Sequence, residues 1–102
     1  QFNFQSPNYK DVNMATDIKP LRAKFSRAIA RRGYSARTDS TYAHWIKRYI
    51  QFHANRHPQD MGTKDVESFL DHLAIERGVS SSTLNIALNA LRFLYNHVVE
   101  NP

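Results

Sequence analysis

Ser82, Asn85, Asn89, Arg92 and Asn96 recur at steps of three and four through an otherwise oily stretch, STLNIALNALRFLYNHVVE. On a helix this spacing draws one narrow polar ridge, with Leu84, Ile86, Leu88, Leu91, Phe93 and Leu94 filling most of the remaining circumference. The chemistry of the ridge is specific. Amides and hydroxyls both donate and accept hydrogen bonds, and a guanidinium forks onto a phosphate or a guanine edge. No Asp or Glu occurs from Ser80 to Val99, as a surface meeting phosphates requires. A ridge that simply faces water is the other reading of the same pattern.

A second candidate surface precedes it. His44, Lys47, Arg48 and Gln51 lie on the helical side opposite Tyr42, Trp45, Ile46, Tyr49 and Phe52. Just upstream, Arg37 and the hydroxyls of Thr38, Ser40 and Thr41 fall in a first helical turn, where free backbone amides suit a phosphate. Thr38 and Ser40 also suit plain helix capping, and the two roles are compatible. The aromatic spacing favours core packing over base stacking, although the Tyr42 hydroxyl is close enough to the basic end to reach a phosphate.

Other chemistries find little support. His44, His53, His57, His72 and His97 include a single four-residue pair, His53 and His57, and Pro58 interrupts the helix there, so no metal site and no cofactor is expected. There is no glycine-rich phosphate loop and no nucleophile turn. Asp65, Glu67, Asp71 and Glu76 read as a solvated helix face rather than as acid/base pairs. Cysteine is absent, which removes disulfides and thiolate ligands and fits a reducing compartment. No apolar run approaches a membrane span, and the start lacks a signal-peptide layout, so the cytoplasm is the expected location. The net charge is +5 over 102 residues, and it is unevenly spread. Residues 19–56 carry ten Lys/Arg against Asp39 alone, whereas residues 57–102 carry three basic groups against six acidic ones. The basic block fits either a polyanion-facing surface or a solvated face without a partner.

Four helices must position these residues. Residues 1–18 show no sustained period and are expected to form a flexible arm, leaving 19–102 as one domain. The first helix is expected over about Lys19 to Arg32, with Asp17 as N-cap, Pro20 in the first turn and Gly33 as the stop. The second runs from about Ala36 to Asn55 behind a Ser35 cap, ending before Pro58. The third runs from about Lys64 to Arg77, capped by Thr63 and stopped by Gly78. The fourth begins after a Ser80 or Ser81 cap and continues to about Val99. The connections are short and no strand pair is visible, so the fold class is all-α, a four-helix bundle. The polar ridges of the second and fourth helices are expected to lie side by side and form one groove.

Three motifs add a resemblance. S-x-R-T-x-x-x-Y-x-x-W-I spans Ser35 to Ile46, F-H-x-x-R-H-P-x-x-M-G spans Phe52 to Gly62, and A-L-N-A-L-x-F-L-Y spans Ala87 to Tyr95. Together they resemble the N-terminal core-binding domain of tyrosine recombinases, most closely that of the integron integrases, over roughly residues 21–99. The resemblance implies a SAM-like orthogonal bundle whose second and fourth helices face recombination-site DNA, double-stranded or folded single-stranded. It also implies a parent protein in which a C-terminal catalytic domain completes a clamp and other protomers join a synaptic tetramer at the nucleoid. The fragment itself then performs no strand cleavage. DNA contact is expected at Arg37, Thr38, Tyr42, His44, Lys47, Arg48, Gln51, Ser82, Thr83, Asn85, Asn89 and Arg92. Of these, Arg37, Thr38 and Tyr42 match the R-T-x-x-x-Y motif, and Thr83 matches the S-x-x-T opening of the last helix. Leu84 and Ile86 depart from the integron pattern, which has polar residues there. The alternatives are a helical protein-interaction module, with the first and third helices as contacts, and a stand-alone DNA-binding regulator.

Overall fold

Two serine caps set the frame. Ser35 Oγ accepts the Thr38 N–H at 3.1 Å, and Ser80 Oγ accepts the Thr83 N–H at 3.2 Å. In each case the serine hydroxyl also donates to the threonine hydroxyl, at 3.2 Å and 3.1 Å. Each cap satisfies a first-turn amide that has no partner within its own helix. The helices they open are α2, Ala36–Phe52, and α4, Ser81–His97. The computed structural model describes the backbone of residues 10–99 and the side-chain surroundings of residues 20–99. Within that range the order is α1 (Lys10–Arg31), α2, a 3-10 turn (Pro58–Asp60), α3 (Thr63–Asp71), a π turn (His72–Glu76) and α4, with no strand.

Helix α1 starts at Lys10, not near Lys19, so Asp17 is inside the helix rather than its N-cap, and Pro20 is internal. Proline removes one N–H that would bond back four residues and its ring crowds that carbonyl, yet the helix continues through it. Of the arm expected over residues 1–18, residues 1–9 lie outside the described residues. Gly33, at φ +76°, ends α1. The Tyr34 N–H reaches the Ile29 carbonyl and the Gly33 N–H the Ala30 carbonyl, a Schellman closure.

Helix α2 repeats that closure without glycine. The Asn55 N–H bonds to the Ile50 carbonyl and the Ala54 N–H to the Gln51 carbonyl, with Ala54 at φ 57° and Asn55 at φ 64°. The helix therefore ends at Phe52, three residues short of the expected Asn55. Helix α3 also differs from expectation. Thr63 is its first residue, not its cap, and the Asp65 carboxylate instead accepts the Gly62 N–H at 2.8 Å. Its last turn widens into the π turn, and the Val79 N–H reaches back to the Leu73 carbonyl past Gly78, at φ +62°.

The core is shared by all four helices. Leu21, Phe25 and Ile29 of α1 meet Ile46, Tyr49 and Ile50 of α2, Phe69 of α3, and Ala87, Ala90, Leu91 and Leu94 of α4. Helices α2 and α4 are the most closely apposed pair. Ala87 and Ala90 are completely buried, and their small side chains let the two backbones approach. Phe25 and Phe93 meet edge to face at 5.4 Å, a favoured aromatic geometry. Ala74 is exposed within the π turn, beside the buried Leu73.

Candidate nucleic-acid interface

The outward ridges are real but they do not adjoin. Helix α2 meets α4 through Tyr49, whose hydroxyl is 2.9 Å from that of Tyr95, and through Tyr42, whose ring lies 6.2 Å from that of Phe93. Both helices therefore present their inner faces to each other, and His44, Lys47 and Gln51 of α2 stand apart from Arg92 and Asn96 of α4. The side-by-side arrangement expected from sequence is corrected on this point. Ile46, Ala43 and Ile50 line an apolar groove against Leu21 and Phe25 of α1, and His44, Lys47 and Gln51 border that groove. Arg92 and Asn96 border a different one, against Gly62, Thr63 and Val66 near the start of α3.

Aromatic contacts join the two helices elsewhere. The rings of Tyr34 and Tyr42 both pack on Phe93, at 5.7 Å and 6.2 Å, so the N-terminal half of α2 lies along the Phe93 flank of α4. Helical spacing puts Asn89, Ile86 and Ser82 on that flank, four, seven and eleven residues before Phe93. Asn89, Ile86 and Ser82 are all exposed there, with Asn85 beside them. On α2, Thr38, Thr41 and Arg48 share one edge with Trp45, seven and four residues before it and three after it. Arg48 stacks over the Trp45 ring at 5.0 Å, a cation–π contact that holds the guanidinium against the helix. Lys47 and Arg48, neighbours in sequence, thus serve opposite flanks of α2.

Among the described residues, α2 carries one carboxylate and α4 none. Asp39, the one acid of residues 19–56, is turned to α1, where it accepts from Arg22 Nη1 at 2.9 Å and from the Ser26 hydroxyl at 3.1 Å. Lys24, Arg27 and Arg31 are exposed on α1, and helical spacing aligns them along its outer face. Thr38 and Thr83, expected as DNA contacts, occupy equivalent places in the two serine caps. Their hydroxyls accept from serine and keep a proton to donate. Ser40 is exposed and takes no part in the cap, contrary to expectation.

The histidines are separately engaged. His53 Nε2 donates to the Asp65 carbonyl at 2.8 Å, His57 Nδ1 accepts the Gln59 N–H at 3.0 Å, and His72 Nδ1 lies 2.6 Å from the Glu76 carboxylate. Arg32 donates to His97 Nδ1 at 2.6 Å, and His44 stands edge-on to Trp45. Among the described residues no three His, Cys, Asp or Glu side chains gather as a metal cluster. No helix there is long and apolar enough to cross a membrane.

Comparison with known proteins places this bundle. Residues 21–102 match the family described as phage integrase, N-terminal SAM-like domain, and the chain belongs to that family. It is 50% identical over 66 residues to proteins called integrase/recombinase from Escherichia coli and from Pseudomonas aeruginosa. Each alignment covers 65% of this chain and 20% of the relative. The chain thus corresponds to about a fifth of the length of these curated relatives.

Proposed function

We propose that this domain holds recombination-site DNA for a site-specific tyrosine recombinase of the integron-integrase type, gripping it in the corner between α2 and α4. The observation that carries the reading is the packing of Tyr42 on Phe93, which brings α2, with its one carboxylate turned to α1, against the flank of α4 on which helical spacing puts the exposed Ser82 and Asn89. Arg37, Arg48 and the two capped helix starts would contact phosphates and set register. Asn85 and Asn89 would reach base edges, where an amide pairs in bidentate fashion with adenine. His44, Lys47, Gln51 and Arg92 border other grooves and stand outside this surface. Strand cleavage belongs, in this reading, to the remainder of a longer parent protein. There the basic outer face of α1 and the acidic face of α3 are available to neighbouring protomers.

The test is a mobility-shift titration of the chain against recombination-site DNA, as duplex and as folded single strand, across a salt series. Affinity should fall steeply with salt, because each neutralised phosphate releases about 0.9 counterion on duplex DNA. A salt-independent curve, or no binding to either form, overturns the proposal. The ratio of the two affinities reports which form the corner fits.

A further inference from the structure

Four large apolar side chains stand exposed among the described residues: Tyr34, Phe52, Ile75 and Ile86. Tyr34 and Phe52 keep aromatic neighbours, Phe93 for the first and Phe69 and His72 for the second. Ile86 is different. It is 39% exposed while Ala87, next to it, is completely buried, and it takes no part in the apolar core. Its surroundings on the helix are Ser82, Asn85 and Asn89, the polar residues of the proposed DNA-facing flank. An aliphatic side chain held in a polar row gains nothing from water and makes no hydrogen bond.

We propose that Ile86 is a specificity-determining residue that reads the C5-methyl group of a thymine in the major groove. The inference rests on the proposed DNA contact of the α2–α4 corner and goes beyond it by assigning a base. On the major-groove edges of the four base pairs, thymine presents a methyl group, the apolar partner an isoleucine requires. Isoleucine is also stiff about χ1 in a helix, with one rotamer strongly preferred, so its methyl groups are placed before binding. Asn85 and Asn89 beside it supply hydrogen bonds to base edges, and Ile86 adds a contact that discriminates by shape.

The experiment selects preferred duplexes for the chain from a random-sequence pool. It then replaces each thymine of the selected duplex by uracil, which removes only the methyl group. The expected result is one thymine at which uracil weakens binding about fourfold, the worth of one buried methyl-sized group. In Ile86→Ala that difference should vanish, with thymine and uracil bound alike, while other positions keep their preferences. Because Ile86 is exposed and alanine favours helix, the variant should fold, and its circular dichroism and melting temperature check this. Selection of a duplex whose uracil forms all bind as well as thymine overturns the inference while leaving DNA binding standing. So does a uracil effect that persists in Ile86→Ala. Failure to enrich or bind any duplex overturns this inference together with a duplex-binding role for the corner.

Discussion

The Tyr49 hydroxyl donates to the Tyr95 hydroxyl at 2.9 Å, and Tyr95 donates onward to the Pro58 carbonyl at 2.8 Å. This short chain ties α2 and α4 to the 3-10 turn through the middle of the core. Burial pushes both phenols above their ordinary value, and for Tyr49 the bond it donates to Tyr95 adds to the effect. Raised values mean that the unfolded chain loses these protons first. The stabilisation is therefore complete below pH 10, the ordinary phenol value, and declines as pH rises beyond it. Melting temperature measured from pH 8 to 11 should stay level from this source and then drop above about 10, and Tyr49→Phe should flatten the drop.

The two phenols are not equivalent. Tyr49→Phe removes one donor and leaves the Tyr95–Pro58 bond in place, so its cost at neutral pH should be about 1 kcal/mol. Tyr95→Phe leaves both the Tyr49 hydroxyl and the Pro58 carbonyl without this partner, so about 1–3 kcal/mol is expected. Urea unfolding of the two variants should rank them in that order.

Asp65 joins three contacts. Its carboxylate accepts the Gly62 N–H at 2.8 Å and lies 3.6 Å from Arg56, and its carbonyl accepts from His53. Asp65→Ala removes the cap and the ion pair but not the carbonyl. The loss should be about 0.5–2 kcal/mol, the range for a helix cap, with little added by the exposed arginine. Asp65→Asn should recover part of it, since an amide oxygen still accepts.

Gly78 occupies the left-handed region at φ +62°, and a Cβ there would meet nothing within 4 Å. The penalty of Gly78→Ala is consequently one of backbone conformation alone, about 1–2 kcal/mol. Asparagine should be better tolerated there than alanine. Thermal melts of the two variants provide the comparison.

Salt dependence separates the two flanks of α2. Arg37→Ala and Arg48→Ala should each lower the slope of log affinity against log salt by about 1, as the loss of one phosphate contact does. Lys47→Ala, on the α1 groove, should leave the slope nearly unchanged. Equal effects at Lys47 and Arg48 would place the DNA across the outer ridge of α2 instead of the corner.

Much of this architecture was legible in the residues. The S-x-x-T signatures at Ser35 and Ser80 mark both helix starts, because a serine oxygen satisfies an otherwise unpaired first-turn amide. Helical period separates Tyr49 and Leu94, both fully buried, from Asn85 and Asn89, which are exposed. Period alone gives inside and outside, however, and not which neighbour covers which flank. That is why Lys47 and Asn89, both outward, were expected to share a groove and do not. Local rules also misplaced two ends. Pro20 suits a first turn as well as an interior, and only the course of the chain before it decides. Thr63 is a good capping residue, yet it begins the helix behind Gly62, and the Asp65 carboxylate reaches back to the Gly62 N–H.

At the end of α2, Ala54 takes a backbone conformation in which alanine costs about 1–2 kcal/mol relative to an ordinary helix. The chain accepts that cost and turns from α2 to the buried Pro58 within five residues, with Arg56 reaching the Asp60 carbonyl and His53 reaching α3. A joint so short behaves as a rigid elbow with no slack. Its length is the quantity the molecule cannot change, and a single inserted residue there would disturb the angle between the first and second halves of the bundle more than most replacements of side chains.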